Sequence, residues 1–203
     1  MYCRGRSLLT IQVKIAITAL LYFLGVSGAC LAETTYFENR LTLPDFPGFQ
    51  VFVEEANSTQ KGSKRWSLSG KPTAQTNNYL LVDPKKDLWV TVSMLHTPYG
   101  GKEPLAPKKF EDEFVTRIAG TTATLSTRKT LSSKYAGNVG YYFLKDKSNK
   151  YGTRLLYVPG APNNNYGDKR AYAIAITYTT SSADRAKVLT QKLLDNMKVS
   201  RKK

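Results

Sequence analysis

The sequence predicts an α+β domain in which two helices cover a twisted, mostly antiparallel sheet. Short stretches with apolar residues at every second position recur along the chain, as in "LWVTVSML" and "AYAIAITYTT", the spacing of half-buried strands. Two segments instead carry apolar residues at helical spacing, one around Phe110–Ile118 and one around Ala186–Met197. The elements run as four strands, a helix, four strands and a helix. Without strict strand–helix alternation, a wholly parallel sheet is disfavoured.

Residues 33–49 read as an extended arm. "LPDFPGF" carries two prolines and a glycine, which oppose both helix and central strand; Phe46 and Phe49 are expected to pin the arm to the domain. "QVFVEE" is a first strand with Val51 and Val53 on one face, and "ANSTQKGSK" a polar loop. "RWSLSG" places Trp66 and Leu68 on one side. "NNYLLVDP" and "LWVTVSML" form a predicted hairpin, with Leu88, Val90 and Val92 sharing a face. After the loop "HTPYGGKEPLAP", Pro107 suits a first helical turn, where its missing N–H is not needed. Phe110, Phe114 and Ile118 make the apolar stripe, and Gly120 is placed to cap the end. Lys108, Lys109, Glu111, Asp112, Glu113 and Arg117 form the expected charged face, with the "FEDEF" acids favouring the helix N-terminus.

"TTATLSTRKTL" reads as a threonine-rich strand, and "VGYYFLKD" and "TRLLYVP" as two more. "AYAIAITYTT" puts Tyr172, Ile174, Ile176 and Tyr178 on one face and alanines on the other, where a helix would pack closely. Ser181 or Ser182 is the expected cap of the last helix, whose stripe is Ala186, Leu189, Leu193 and Met197, flanked by Val188 and Leu194.

The N-terminus reads as an export signal. Arg4, Arg6 and Lys14 precede an apolar run from Ile15 to Ala29, followed by small residues and then "ETTYFENR"; this is the order of a secretory leader. The run is short for a spanning helix, which needs ~20 residues. Two cuts are open: after Ala32, or before Cys30, where Gly28-Ala29-Cys30 resembles a bacterial lipobox although Ser27 stands where a branched aliphatic is usual. Cys30 is therefore a candidate lipidation site. The expected boundaries are a signal at 1–32, the arm at 33–49, one α+β domain at 50–200 and a basic tail at 201–203. A chain of this length can bury a core without disulfides.

The chain has 30 Lys and Arg against 15 Asp and Glu. Losing Arg4, Arg6 and Lys14 with the leader would leave 27 against 15. Such a field attracts polyanions. Catalytic constellations are absent from the sequence pattern. His96 is the sole histidine, where a zinc site needs three or four ligands. There is no G-x-S-x-G elbow, no phosphate-binding glycine loop and no calcium loop. No enzyme activity, cofactor or metal is expected. Asn57-Ser58-Thr59 matches a glycosylation pattern that matters only in a eukaryotic secretory pathway.

The binding candidates lie where bases interleave with tyrosines: Arg128, Lys129, Lys134, Lys145, Lys147, Lys150, Tyr151 and Arg154, since rings can stack while cations meet anionic groups. The loop "GAPNNNYGDKR" adds Tyr166 and Arg170. An exported address favours an anionic envelope polymer, lipid headgroups or an envelope protein as partner over nucleic acid.

Four segments carry a resemblance: "KKFEDEFVTRIAG", "NVGYYFLKD", "KRAYAIAITYTT" and "ADRAKVLTQKLLDNMKV". Their order resembles the PsbP/Mog1-type α/β/α sandwich of many exported bacterial domains, over most of residues 48–200. The resemblance implies that fold and a binding or accessory role without chemistry of its own. The expectation is thus an exported, periplasmic or surface-facing, non-enzymatic binding protein. The alternatives are a lipid-anchored structural subunit of an envelope complex, or an enzyme with an unfamiliar site.

Overall fold

Alternation in the chain from Leu88 to Thr179 builds a sheet with two apolar faces. The structure, a computed structural model, describes residues 32–54, 66–69, 77–96, 107–119, 123–160 and 170–200. The first strands are β1 (Glu33–Tyr36), β2 (Leu41–Pro44), β3 (Gln50–Glu54), β4 (Trp66–Ser69), β5 (Asn78–Val82) and β6 (Leu88–His96). Helix α1 (Pro107–Ala119) follows, then β7 (Ala123–Leu125), β8 (Lys129–Ser133), β9 (Gly137–Asp146), β10 (Tyr151–Pro159) and β11 (Arg170–Thr179). A 3-10 turn (Thr180–Ser182) leads into α2 (Ala183–Asn196), and β12 (Lys198–Val199) ends the described chain. The leader with Cys30, Asn57, Gly120, Tyr166 and the basic tail lie outside the described residues, as do the side chains of His96, Phe110, Arg117 and Ile118.

The large sheet has the order β4-β3-β5-β6-β11-β10-β9-β7, with β8 also on β9. Every strand pairing among the described residues is antiparallel, and a bridge between Tyr135 and Lys198 is parallel. The expected hairpin stands, with Val82 opposite Trp89.

Because side chains alternate across a strand, β11 feeds two cores. Tyr172, Ile174, Ile176 and Tyr178 join Val90, Val92, Leu156 and Val158 beneath Ala186, Leu193 and Leu194 of α2 and Met197 just after it. On the opposite face, Ala171, Ala173 and Ala175 with Leu155 and Tyr157 meet Phe114 and Val115 of α1. The helices therefore cover opposite faces, with the alanine row on the α1 side. Each fully buried leucine, such as Leu193, contributes about 1.5–3 kcal/mol.

The arm differs from its reading. It is a hairpin, with Tyr36 opposite Leu41, and β12 completes a three-stranded sheet β1-β2-β12. The turn between them uses Phe37, Glu38 and Asn39 at φ 54°, 55° and 64°. It carries neither glycine nor proline, so the usual hairpin signal is missing. Phe37 is nonetheless buried, stacking on Tyr172 at 5.7 Å and tilting against Tyr79 at 5.2 Å. Phe46 and Phe49 do pack against the core, with ring centroids 5.6 Å apart.

Other details also depart. The threonine-rich strand divides into β7 and β8, both on β9. Ser182 occupies the cap position of α2, but its hydroxyl donates to Asp87 Oδ2 and not to the helix backbone. Val188 is 69 % exposed; it stands outside the stripe. The first turn of α1 holds no acid, and Glu111 is buried, so it does not belong to a charged outer face.

Candidate anion-binding site

Strands β8, β9 and β10 bring three of the expected cations to one face. Lys129 stands opposite Tyr141 across β8 and β9, and Tyr141 opposite Leu156 of the α2-side core. Residues directly opposite share a face, so Lys129 and Tyr141 lie on the α2 side. By the same period Arg154, two residues before Leu156, lies there too, as does Lys145 opposite Gly152. Lys145 and Arg154 are diagonal neighbours with Cα atoms about 8 Å apart, and Lys129 stands about 12 Å from Arg154.

Arg154 is the centre of this arrangement. Its Nη1 donates to the Tyr141 hydroxyl at 2.8 Å, and its guanidinium carbon lies 5.7 Å from the centroid of the Tyr178 ring. Its Nε is shielded from solvent and has no hydrogen-bond partner among the described residues. Gly152 makes room for this: a Cβ there would stand 2.9 Å from the Tyr178 hydroxyl, so the tyrosine crosses β10 beside Arg154. Burial pushes the Tyr178 phenol up, and the Arg154 charge partly counters that. The phenol stays protonated at neutral pH.

Among the described residues, Arg154, Lys129 and Lys145 have no carboxylate partner, whereas Arg40, Lys108, Arg128, Arg185 and Lys198 are ion-paired. Like charges at neighbouring sheet positions cost stability. An anion over this face would relieve that repulsion.

The remaining candidates scatter. Lys147 and Lys150 sit exposed in the β9–β10 turn, next along the chain from Lys145. Lys134 lies 5.0 Å from the Tyr135 ring, which Lys198 approaches at 5.5 Å from its own strand. Tyr151, opposite Thr179, is on the α1 side, edge-on to Trp89 at 5.7 Å. Arg170 starts β11 opposite His96, at the far end of the sheet from Tyr151. Arg128 is on the α1 side, where its guanidinium spans both Glu111 oxygens at 2.8 and 3.2 Å and reaches Thr130 at 2.7 Å. Strand alternation separates Tyr151 and Arg128 from the Arg154 face; Arg170 shares the face of Tyr172 but stands at its far end.

That buried Glu111 also accepts the Tyr142 hydroxyl at 2.7 Å. Burial and then the Glu111 bond push the Tyr142 phenol up. Burial, reinforced by the same carboxylate, pushes Tyr157 up to about 12. Glu111 lies three and four residues before Phe114 and Val115, the same helix face; that spacing was the available signal of its burial. With its oxygens occupied on three sides, the carboxylate clamps α1 to the sheet. Among the described residues, no three His, Cys, Asp or Glu side chains gather to hold a metal ion, and no helix is long and apolar enough to cross a membrane.

No family model matches this chain, and no curated protein matches it. Among solved structures it is similar to the Ran-binding protein Mog1p of Saccharomyces cerevisiae, at 15% identity. That likeness covers 83% of this chain and 94% of the other, with a TM-score of 0.39. The sandwich expected from the element order is the one described above, and no site residue is carried over from the yeast protein.

Proposed function

We propose that this chain is an exported, non-enzymatic binding or accessory protein that contacts an anionic partner through the α2 side of β8–β10. The observation that supports this reading is Arg154, half-buried without a carboxylate partner among the described residues and flanked by Lys129 and Lys145. The excess of basic residues supplies the long-range field. An anionic envelope polymer or lipid surface suits both the charge and the leader-like N-terminus. The test is retention on immobilised dextran sulfate across a salt gradient. Binding is expected to weaken steeply with salt, because each neutralised contact displaces counterions. A triple charge-removing variant, Lys129→Gln, Lys145→Gln and Arg154→Gln, is expected to elute far earlier than one carrying Lys85→Gln, Lys86→Gln and Lys109→Gln.

A second reading, an accessory subunit held by a protein partner, has its own observation. Leu125 and Tyr151 are 38 % and 42 % exposed, and register places both on the α1 side near one edge of the sheet. A largely apolar interface there would persist at high salt. Export is tested separately by the intact mass of the mature protein in its host. A soluble species starting at Glu33 fits cleavage after Ala32; an acylated membrane species starting at Cys30 fits a lipoprotein.

A further inference from the structure

We infer that Arg154, Tyr141 and Lys145 form a seat for a single phosphoryl oxyanion. The inference rests on the anion-binding reading of this face and sharpens it from a charged surface to a defined position.

The donors set the chemistry. The Tyr141 oxygen accepts from Arg154 Nη1 at 2.8 Å, which leaves its own proton free to donate. The shielded atom of Arg154 is Nε, which leaves Nη2 as the nitrogen for an anion. Lys145 stands opposite Gly152 on the same face, a diagonal neighbour of Arg154. Two strands and three side chains thus offer donors. A planar carboxylate is satisfied by one guanidinium edge. A tetrahedral phosphoryl group has oxygens in several directions and more charge, which suits one guanidinium, one phenol and one ammonium together. The Tyr178 ring, 5 % exposed, fills the space over Gly152 and forms the wall beside Arg154.

The same chemistry is offered by a soluble phosphate ester and by a phospholipid headgroup, and the test separates them. The purified chain, labelled with ¹⁵N, is titrated with inorganic phosphate and, at matched ionic strength, with acetate. Phosphatidylglycerol vesicles are compared with phosphatidylcholine vesicles. Phosphate is expected to move the Arg154 Nε–H signal saturably and acetate is not. Tyr141→Phe is expected to weaken phosphate binding several-fold and Arg154→Lys about tenfold. Vesicle binding lost with Arg154→Lys identifies a headgroup as the source; phosphate binding without vesicle binding identifies a soluble ester, and either supports the seat. If Arg154→Lys fails to fold, Tyr141→Phe and the wild-type titration decide. Phosphate acting no differently from acetate, or both variants binding it like wild type, overturns the seat while dextran sulfate binding keeps the broader reading. A wild-type chain that ignores dextran sulfate at low salt overturns both.

Discussion

Gly140 lies directly beneath Glu111: a Cβ on Gly140 would stand 2.3 Å from the Glu111 Oε1 atom. That oxygen already accepts from Tyr142 and Arg128, so moving it aside breaks the bonds that hold α1 on the sheet. Gly140→Ala is expected to destabilise by about 1–3 kcal/mol, the usual range for a forced steric conflict. In a Glu111→Ala background the same change is expected to cost less than about 0.5 kcal/mol. Chemical denaturation of the four-member cycle measures the coupling; additive effects would show that the two residues do not interact.

The buried phenols predict an alkaline limit. Burial, aided by Asp45, raises Tyr36; burial and the Glu111 bond raise Tyr142; Tyr157 is pushed up to about 12. A group raised in the folded state supplies stability that is whole below its unfolded value, about 10 for tyrosine, and is lost as pH rises through the folded value. Melting temperature is expected to be insensitive to these groups below about pH 10 and to fall between about 10 and 12. Absorbance at the phenolate band should rise together with unfolding. Full ionisation of these residues in a chain that stays folded would contradict the burial described.

An acid limit arises elsewhere. The Ser182 hydroxyl, and then the neighbouring Arg185 and Asp83, hold the Asp87 carboxyl below its ordinary value. Arg185 spans Asp83 and Asp87 at 2.9 Å each, joining the β5–β6 turn to the start of α2. A carboxyl lowered on folding contributes stability above its unfolded value, about 3.9, that is lost as pH falls through the folded one. Ser182→Ala is expected to lower the melting temperature at neutral pH and to flatten its fall on the acid side. An unchanged acid profile would remove this tie from the account.

The hairpin turn predicts a stabilising change. Glu38, at φ 55° between two other left-handed residues, is exposed, and its bond to Arg40 is long at 3.5 Å. An L-residue in this region costs about 1–2 kcal/mol, and glycine avoids that cost while adding chain entropy. Glu38→Gly is expected to raise stability by roughly 0.5 kcal/mol, read from the denaturation midpoint. A loss would mean the turn is not strained.

The elements legible in the sequence were those whose own periodicity decides them. The alternation of Tyr172, Ile174, Ile176 and Tyr178 against three alanines foretold both faces of β11. The β1–β2 hairpin was not legible, because Phe37, Glu38 and Asn39 take a left-handed path without a glycine to announce it. Ser182 looked like a cap because it sits where caps sit; its partner Asp87 is distant in sequence. The same limit applied to the site. Composition picked out Arg128 and Arg154 alike, but only strand register shows that Arg128 is spent on Glu111 beneath α1 while Arg154, on the opposite face, has no acid.

The most direct test of the account maps where an anion lands. The ¹⁵N-labelled chain is titrated with short dextran sulfate at low salt, and perturbed amide and side-chain signals are assigned. The account predicts that the largest changes cluster at Lys129, Tyr141, Lys145, Gly152 and Arg154, while Arg128, Lys108 and Lys109 stay nearly still. Changes spread evenly over exposed lysines, or centred on the α1 side, would contradict it.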